Sequence, residues 1–171
     1  MIKLSYDIKK YRQDLTELIN DGDVVIELGC HLGGTTKIIS HSCRVIAVDN
    51  SPEAIDVMGS LDGVEFISGD VRRHEVLGEV FSKVQKCDVL AIDLGGGYHP
   101  DTVFKVFYIW SSTFKPAHTV IRNRGILEFV NSSTVSGEDY SSDEGFLDSY
   151  NDSGIPPLIK EFDLWTPSLR K

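Results

Sequence analysis

Val24-Val25-Ile26-Glu27-Leu28-Gly29-Cys30-His31-Leu32-Gly33-Gly34-Thr35-Thr36 is the stretch whose reading decides the fold. Its first five residues form a short β-branched and aliphatic run, which predicts a strand buried on both faces. Gly29 ends that strand, and Gly33-Gly34 carries the chain round to a helix that runs to about residue 40, with a threonine available as its cap. Strand, glycine turn and helix in immediate succession open a β-α-β unit.

The same alternation continues outward. Residues 44–48 read as a second strand ending in Asp49-Asn50. Ser51-Pro52-Glu53 then supplies a cap, a first-turn proline and a first-turn acid for the next helix. Residues 64–67 make a third strand closed by Ser68-Gly69-Asp70, and a helix is expected over 71–84. A fourth strand spans 88–93, Asp101-Thr102 caps a helix to about residue 114, and 118–122 make a fifth strand. Ahead of this core, Ile8, Tyr11, Leu15, Leu18 and Ile19 fall at helical spacing, so residues 1–22 read as an N-terminal helical segment. Beyond Arg124 the periodicity fades. Residues 125–157 read as an acidic loop region, and 158–171 as an edge strand and tail. The expected architecture is a single α/β domain over 1–171, with a cofactor-binding core at 23–124. It is a doubly wound, mostly parallel sheet with helices on both faces and a shortened C-terminal part.

At 171 residues, 41% hydrophobic and 25% charged, the composition is that of one soluble globular domain. No apolar run nears the roughly 18 residues of a membrane span, and MIKLSYDIKKYRQ has charges where a signal peptide needs an apolar stretch. A cytoplasmic protein with no membrane partner is expected. Three cysteines, Cys30, Cys43 and Cys87, form no CxxC pair, so neither a disulfide framework nor a zinc site is expected. The net charge of −9 is uneven: seven acids and no Lys or Arg lie between residues 125 and 159, and the remainder carries about −2. Such a surface does not attract phosphate backbones, which argues against a nucleic-acid partner unless a basic subunit supplies the attraction.

Ligands of an open parallel sheet sit at the carboxyl ends of the strands, near the point where strand order reverses. Here those ends read Glu27-Leu28-Gly29, Asp49-Asn50, Gly69-Asp70-Val71 and Asp93-Leu94-Gly95-Gly96-Gly97. Asp49 follows Glu27 by 22 residues, about where a nucleotide site places its ribose carboxylate. A carboxylate accepts from both ribose hydroxyls, and Asp70 could accept from an adenine amino group. Three successive glycines are conformationally costly and suggest a close approach to a ligand.

In order along the chain, these elements resemble the class I S-adenosylmethionine-dependent methyltransferases. Residues 27–33 are similar to that family's glycine-rich first motif after an acid, 45–49 to its ribose-binding motif, and 66–71 to its adenine-side motif. Residues 90–93 resemble its motif IV, and 115–121 its last lysine-proline turn and strand. The resemblance implies S-adenosylmethionine as cofactor, held by Glu27, Gly29, Cys30, His31, Gly33, Asp49, Asn50, Asp70, Val71 and Asp93. It also implies methyl transfer to an acceptor that the sequence does not name, a small molecule being one choice. Asp93, Tyr98 and His99 are candidates for acceptor binding or general-base work, with His99 favoured because imidazole titrates near neutrality. His31 stands where the family often has glycine. The [Asp/Asn]-Pro-Pro-[Tyr/Phe] run of many N-methyltransferases is absent, and Arg122 occupies the position of a metal-binding Asp in catechol-type enzymes, so no metal is expected.

The alternative reading is a non-catalytic S-adenosylmethionine-binding or regulatory protein on the same fold. A nicotinamide oxidoreductase fits less well, because its loop would read GxGxxG without a preceding acid. The five aromatics of the helix ending at Phe114 read first as core and second as a homodimer contact. Arg122 and Arg124 read either as binders of an acidic acceptor or as neutralisers of the acidic segment.

Overall fold

A computed structural model describes residues 1–137 and 141–148. In chain order the elements are β1 (Ile2–Ser5), α1 (Ile8–Leu18), β2 (Val24–Leu28), α2 (Thr36–Ile39), β3 (Arg44–Asp49) and α3 (Pro52–Met58). They continue with β4 (Val64–Ser68), α4 (His74–Lys83), β5 (Val89–Ile92), α5 (Pro100–Phe114), β6 (His118–Arg122) and α6 (Arg124–Ser132). Every described strand pairs in parallel, in the order β1-β6-β5-β2-β3-β4. The chain winds outward from β2 through β3 to β4, then crosses back to β5 and winds the other way. The reversal falls between β2 and β5, whose carboxyl ends therefore border a crevice.

The strand period of two sorts the side chains onto two faces. Ile26, Leu28, Ile46, Val48, Leu90, Ile92 and Ile121 pack under α4 and α5, where Trp110 and Phe114 are fully buried. Val25, Val45, Ala47, Val89, Ala91 and Val120 pack under α1, α2 and α3. The second set continues, at the same parity, into Glu27, Asp49, Asp93 and Arg122. Three carboxylates and a guanidinium thus end on the α1 side of the sheet. The aromatics of α5 are mainly core, as expected, with Phe104 48% exposed at the helix surface.

The chain departs from expectation in four places. First, a strand precedes the N-terminal helix. Ile2 and Leu4 of β1 pack into the α5 face, while Lys3 on the opposite face reaches Asp14 at 3.4 Å and Ser5 donates to Asp14 at 2.8 Å. Second, α5 starts at Pro100 rather than at a cap formed by Asp101-Thr102. His99 precedes it in a left-handed conformation, φ 53°. Third, the segment assigned to an acidic loop begins with α6. Its N-cap Asn123 accepts from the Ile126 amide at 3.0 Å. Fourth, residues 141–148 of that same segment are docked: the Gly145 amide donates to the Pro116 carbonyl at 3.1 Å, at the amino-terminal end of β6. The expected edge strand at 158–171 lies outside the described residues. Among those residues no helix is long and apolar enough to cross a membrane.

Candidate functional site

A cavity of about 710 Å³ opens at the carboxyl ends of the strands. Nine sequence-predicted residues line it: Gly29, Cys30, His31, Asp49, Asn50, Asp70, Val71, Asp93 and His99. Three do not. Glu27 is 1% exposed beneath the cavity floor, where the Thr36 hydroxyl donates to it at 2.6 Å. Gly33 turns away toward Met58 and Leu61. Tyr98 lies outside the cavity, 77% exposed.

Each strand end is fixed by contacts that the sequence implies only in part. Asp49 bridges two loops, accepting from the His31 amide at 2.8 Å through one oxygen and from the Ser51 amide at 2.7 Å through the other. Each oxygen keeps a lone pair for an incoming hydroxyl. Asp70 is gripped by the Arg72 side chain and amide, and that guanidinium holds its carboxyl below the usual range. The loop beyond it is anchored from below, because the buried indole of Trp110 donates to the Val71 carbonyl at 2.9 Å. Asn123 caps α6 and its side-chain amide donates to the Tyr98 carbonyl at 3.2 Å.

Asp93 is the most constrained carboxylate. Arg122 Nε sits 2.8 Å from its Oδ2, the Gly96 amide also favours its charged form, and Oδ1 is buried with no hydrogen bond of good geometry among the described residues. Burial raises the Asp93 pKa, and the Arg122 guanidinium opposes that rise. Arg122 is therefore the counter-ion of Asp93, and it also lines the cavity. The reasoning from sequence also missed Arg12. It projects from α1 into the cavity wall, donates to Thr35 Oγ1 at 3.2 Å and forms no ion pair among the described residues. Helical periodicity marks which face α1 buries, but not which strand end that face meets. Cys30 is buried and its thiol pKa is pushed up, so it stays protonated and is no nucleophile.

Glu27 carries a pH signature. Burial raises its pKa from 4.5 to about 7, with Thr36 opposing and Asp93 and Asp49 reinforcing. Because the folded state holds this proton more tightly than the unfolded chain, stability from this group falls as pH rises from about 4.5 to about 7, then levels off. Glu27→Gln keeps an acceptor for Thr36 and should abolish that slope. Above neutrality the variant should gain up to about 3 kcal/mol over the parent in urea titrations, and equal losses at pH 5 and pH 8 would contradict this.

A parallel sheet wound both ways from β2, with a carboxylate and a glycine loop at its switch point, is the architecture of the class I S-adenosylmethionine-dependent methyltransferases. The chain belongs to the FtsJ-like methyltransferase family, whose model matches residues 2–138. The ribosomal RNA large subunit methyltransferase E of Thermoplasma acidophilum is 33% identical over 97 residues, 53% of this chain and 42% of that protein. The enzyme of the same name from Legionella pneumophila strain Lens is 35% identical over 95 residues, 52% of this chain and 43% of its own. The chain thus spans about two-fifths of the length of these relatives. An rRNA methylase from Streptococcus thermophilus shares the fold with a TM-score of 0.51 at 16% identity, over 74% of this chain and 80% of that one.

These names overturn the expectation, drawn from net charge, that nucleic acid is a poor partner. The physical error lies in summing charge over the whole chain. Asp143 and Glu144 sit with the docked 141–148 segment at the amino end of the sheet. The cavity is at the other end, one strand length or about 17 Å away, beyond a physiological Debye length of about 8 Å. Around the cavity itself Arg12, Arg72 and Arg122 balance Asp49, Asp70 and Asp93, so the rim lacks the acidic excess of the whole chain.

Proposed function

We infer that this chain binds S-adenosylmethionine in the strand-end cavity and transfers its methyl group to RNA. The RNA acceptor is supported by the names of the curated relatives. The observation that carries the reading is Asp93: a carboxylate that lines the cavity at the end of β5 and is held by a cation.

The residues present suit an adenosyl amino acid. Asp49 has lone pairs for the ribose hydroxyls, and Val71 and Leu94 give apolar walls for a purine. Arg12 offers a cation to an anionic group, either the carboxylate of the amino acid or a phosphate of the acceptor. When bound, the sulfonium supplies an electrophilic methyl carbon. The protein then has to hold the acceptor in line and take its proton. None of the cavity arginines can take a proton, because a guanidinium stays charged. Among the lining groups that can take a proton, we assign that role to Asp93, whose raised pKa makes it a better base than an exposed carboxylate. His99, favoured on its intrinsic pKa alone, stands at the cavity's edge with its backbone committed to starting α5. His99→Gln should reduce turnover by less than about tenfold.

Methyl-labelled S-adenosylmethionine incubated with ribosomal RNA, with protein extract and with a small-molecule extract tests the reading. Label is expected in the RNA, and label confined to either other fraction would overturn that acceptor. S-adenosylmethionine binding without transfer to any of the three would instead support a regulatory protein on this fold.

A further inference from the structure

We propose that Tyr98 and the Tyr6–Arg124 pair, outside the cavity, form a stacking seat for an unpaired nucleobase of the RNA that enters it; this rests on the RNA reading above. The three residues follow the ends of adjacent strands. Tyr6 comes just after β1 and Arg124 just after β6, on strands about 5 Å apart, and the loop after β5 brings Tyr98 alongside through its carbonyl on Asn123 and Gly97 against Arg124. The patch continues the cavity rim, since the lining residues His99 and Arg122 are respectively next to Tyr98 and two residues from Arg124 in sequence.

The Tyr98 ring is 77% exposed, so its face is open to a stacking partner. Here the ring is displayed on a backbone that is held still. The Tyr98 carbonyl accepts from the buried Asn123 amide at 3.2 Å, and the Gly97 amide donates to the Gly95 carbonyl at 2.9 Å. Beside it the Arg124 guanidinium lies 4.7 Å from the centroid of the Tyr6 ring, itself 55% exposed. Arg124 forms no ion pair among the described residues.

The glycine run explains how the arginines come to lie there. A Cβ on Gly96 would stand 2.7 Å from Arg122 Nη1, and one on Gly97 would stand 3.3 Å from Arg124 Cδ. Two guanidinium side chains therefore lie across the loop where other residues would push them off. The close approach suggested by three glycines is real, but at Gly96 and Gly97 it is made by arginines from the end of β6. Flat aromatic and guanidinium surfaces with an unpaired positive charge match a nucleobase carried on a phosphate backbone, and stacking of this kind tolerates any base.

The test uses a fluorescein-labelled single-stranded RNA of about 12 nucleotides and a duplex of equal length, read by anisotropy, with S-adenosylhomocysteine affinity measured in parallel by calorimetry. Tyr98→Ala and Arg124→Ala are expected to weaken single-strand binding about tenfold or more. Tyr98→Phe should restore it, duplex binding should change little, and S-adenosylhomocysteine affinity should stay within about twofold. Wild-type affinity for the single strand in both alanine variants would overturn the seat while leaving RNA methylation standing. Equal loss in Tyr98→Phe would overturn stacking in favour of the hydroxyl. A change of sedimentation mass in place of RNA affinity would make the patch a self-contact. If the wild-type protein neither binds nor labels any RNA, the broader reading fails first.

Discussion

Asp93→Asn should cut methyl transfer by about a hundredfold or more while S-adenosylhomocysteine still binds. The substitution is isosteric, so the loss reports the proton-accepting oxygen rather than a change of shape. It also strips Arg122 of its counter-charge. With the two side chains 22% and 12% exposed, that costs some stability. Activity should accordingly be compared well below the melting transition of the variant. The pH profile gives a second reading of the same residue. A base acts as its carboxylate, so with Asp93 in that role the parent's rate should rise with pH through the raised pKa and then level off. The residual activity of Asp93→Asn should lack that limb. A variant within a few-fold of the parent, with the acid limb intact, would remove Asp93 from the chemistry.

Gly29→Ala should be among the most damaging single-methyl additions in the chain. Gly29 has φ +88°, where an L side chain is strained. Its added Cβ would lie 2.1 Å from the carbonyl oxygen of Asp93. Both atoms belong to backbone at the carboxyl ends of β2 and β5, so no side chain can rotate away. Separating the strands would break the pairing that closes the cavity floor, including the Asp93 amide bond to the Leu28 carbonyl at 2.9 Å. A loss of about 3 kcal/mol or more follows, seen as a fall in melting temperature of roughly 6–12 °C for a chain of this size. A melt within about 2 °C of the parent would show that the two strand ends are not packed as described.

The sheet was legible because its information is local. β2 to β6 each carry their own β-branched residues, β2 to β5 add a terminating acid or glycine, and parity along each strand then dictates which face those acids share. β1 was not legible, because four residues with one alternation become a strand only when β6 offers an edge. α6 left a signal that could have been read: Asn123 as cap, followed by Ile126, Leu127, Phe129 and Val130 at helical spacing. The Asp70 strand end was legible as a carboxylate, but its pairing with Arg72 was not weighed.

The site was legible where it follows strand ends and obscure where it depends on elements distant in sequence. Arg12 reaches the cavity only because α1 packs over the β2–α2 loop. The Asp93–Arg122 pair needs β5 beside β6, and once that adjacency is known the Arg at the end of β6 has its partner. Glu27 reads as a ligand-facing acid in the motif, yet strand parity puts its side chain under α2. Net charge misled for a related reason, since a sum over residues holds no information about which end of the sheet carries the acids.

Calorimetry with S-adenosylhomocysteine on the parent and on Asp49→Ala addresses the cradle itself, independently of any acceptor. The parent should bind one equivalent with micromolar affinity, and Asp49→Ala should bind about tenfold more weakly or worse, having lost the acceptor for the ribose and the tie between the His31 and Ser51 amides. No heat at millimolar ligand, or equal affinity in the two proteins, would contradict the account.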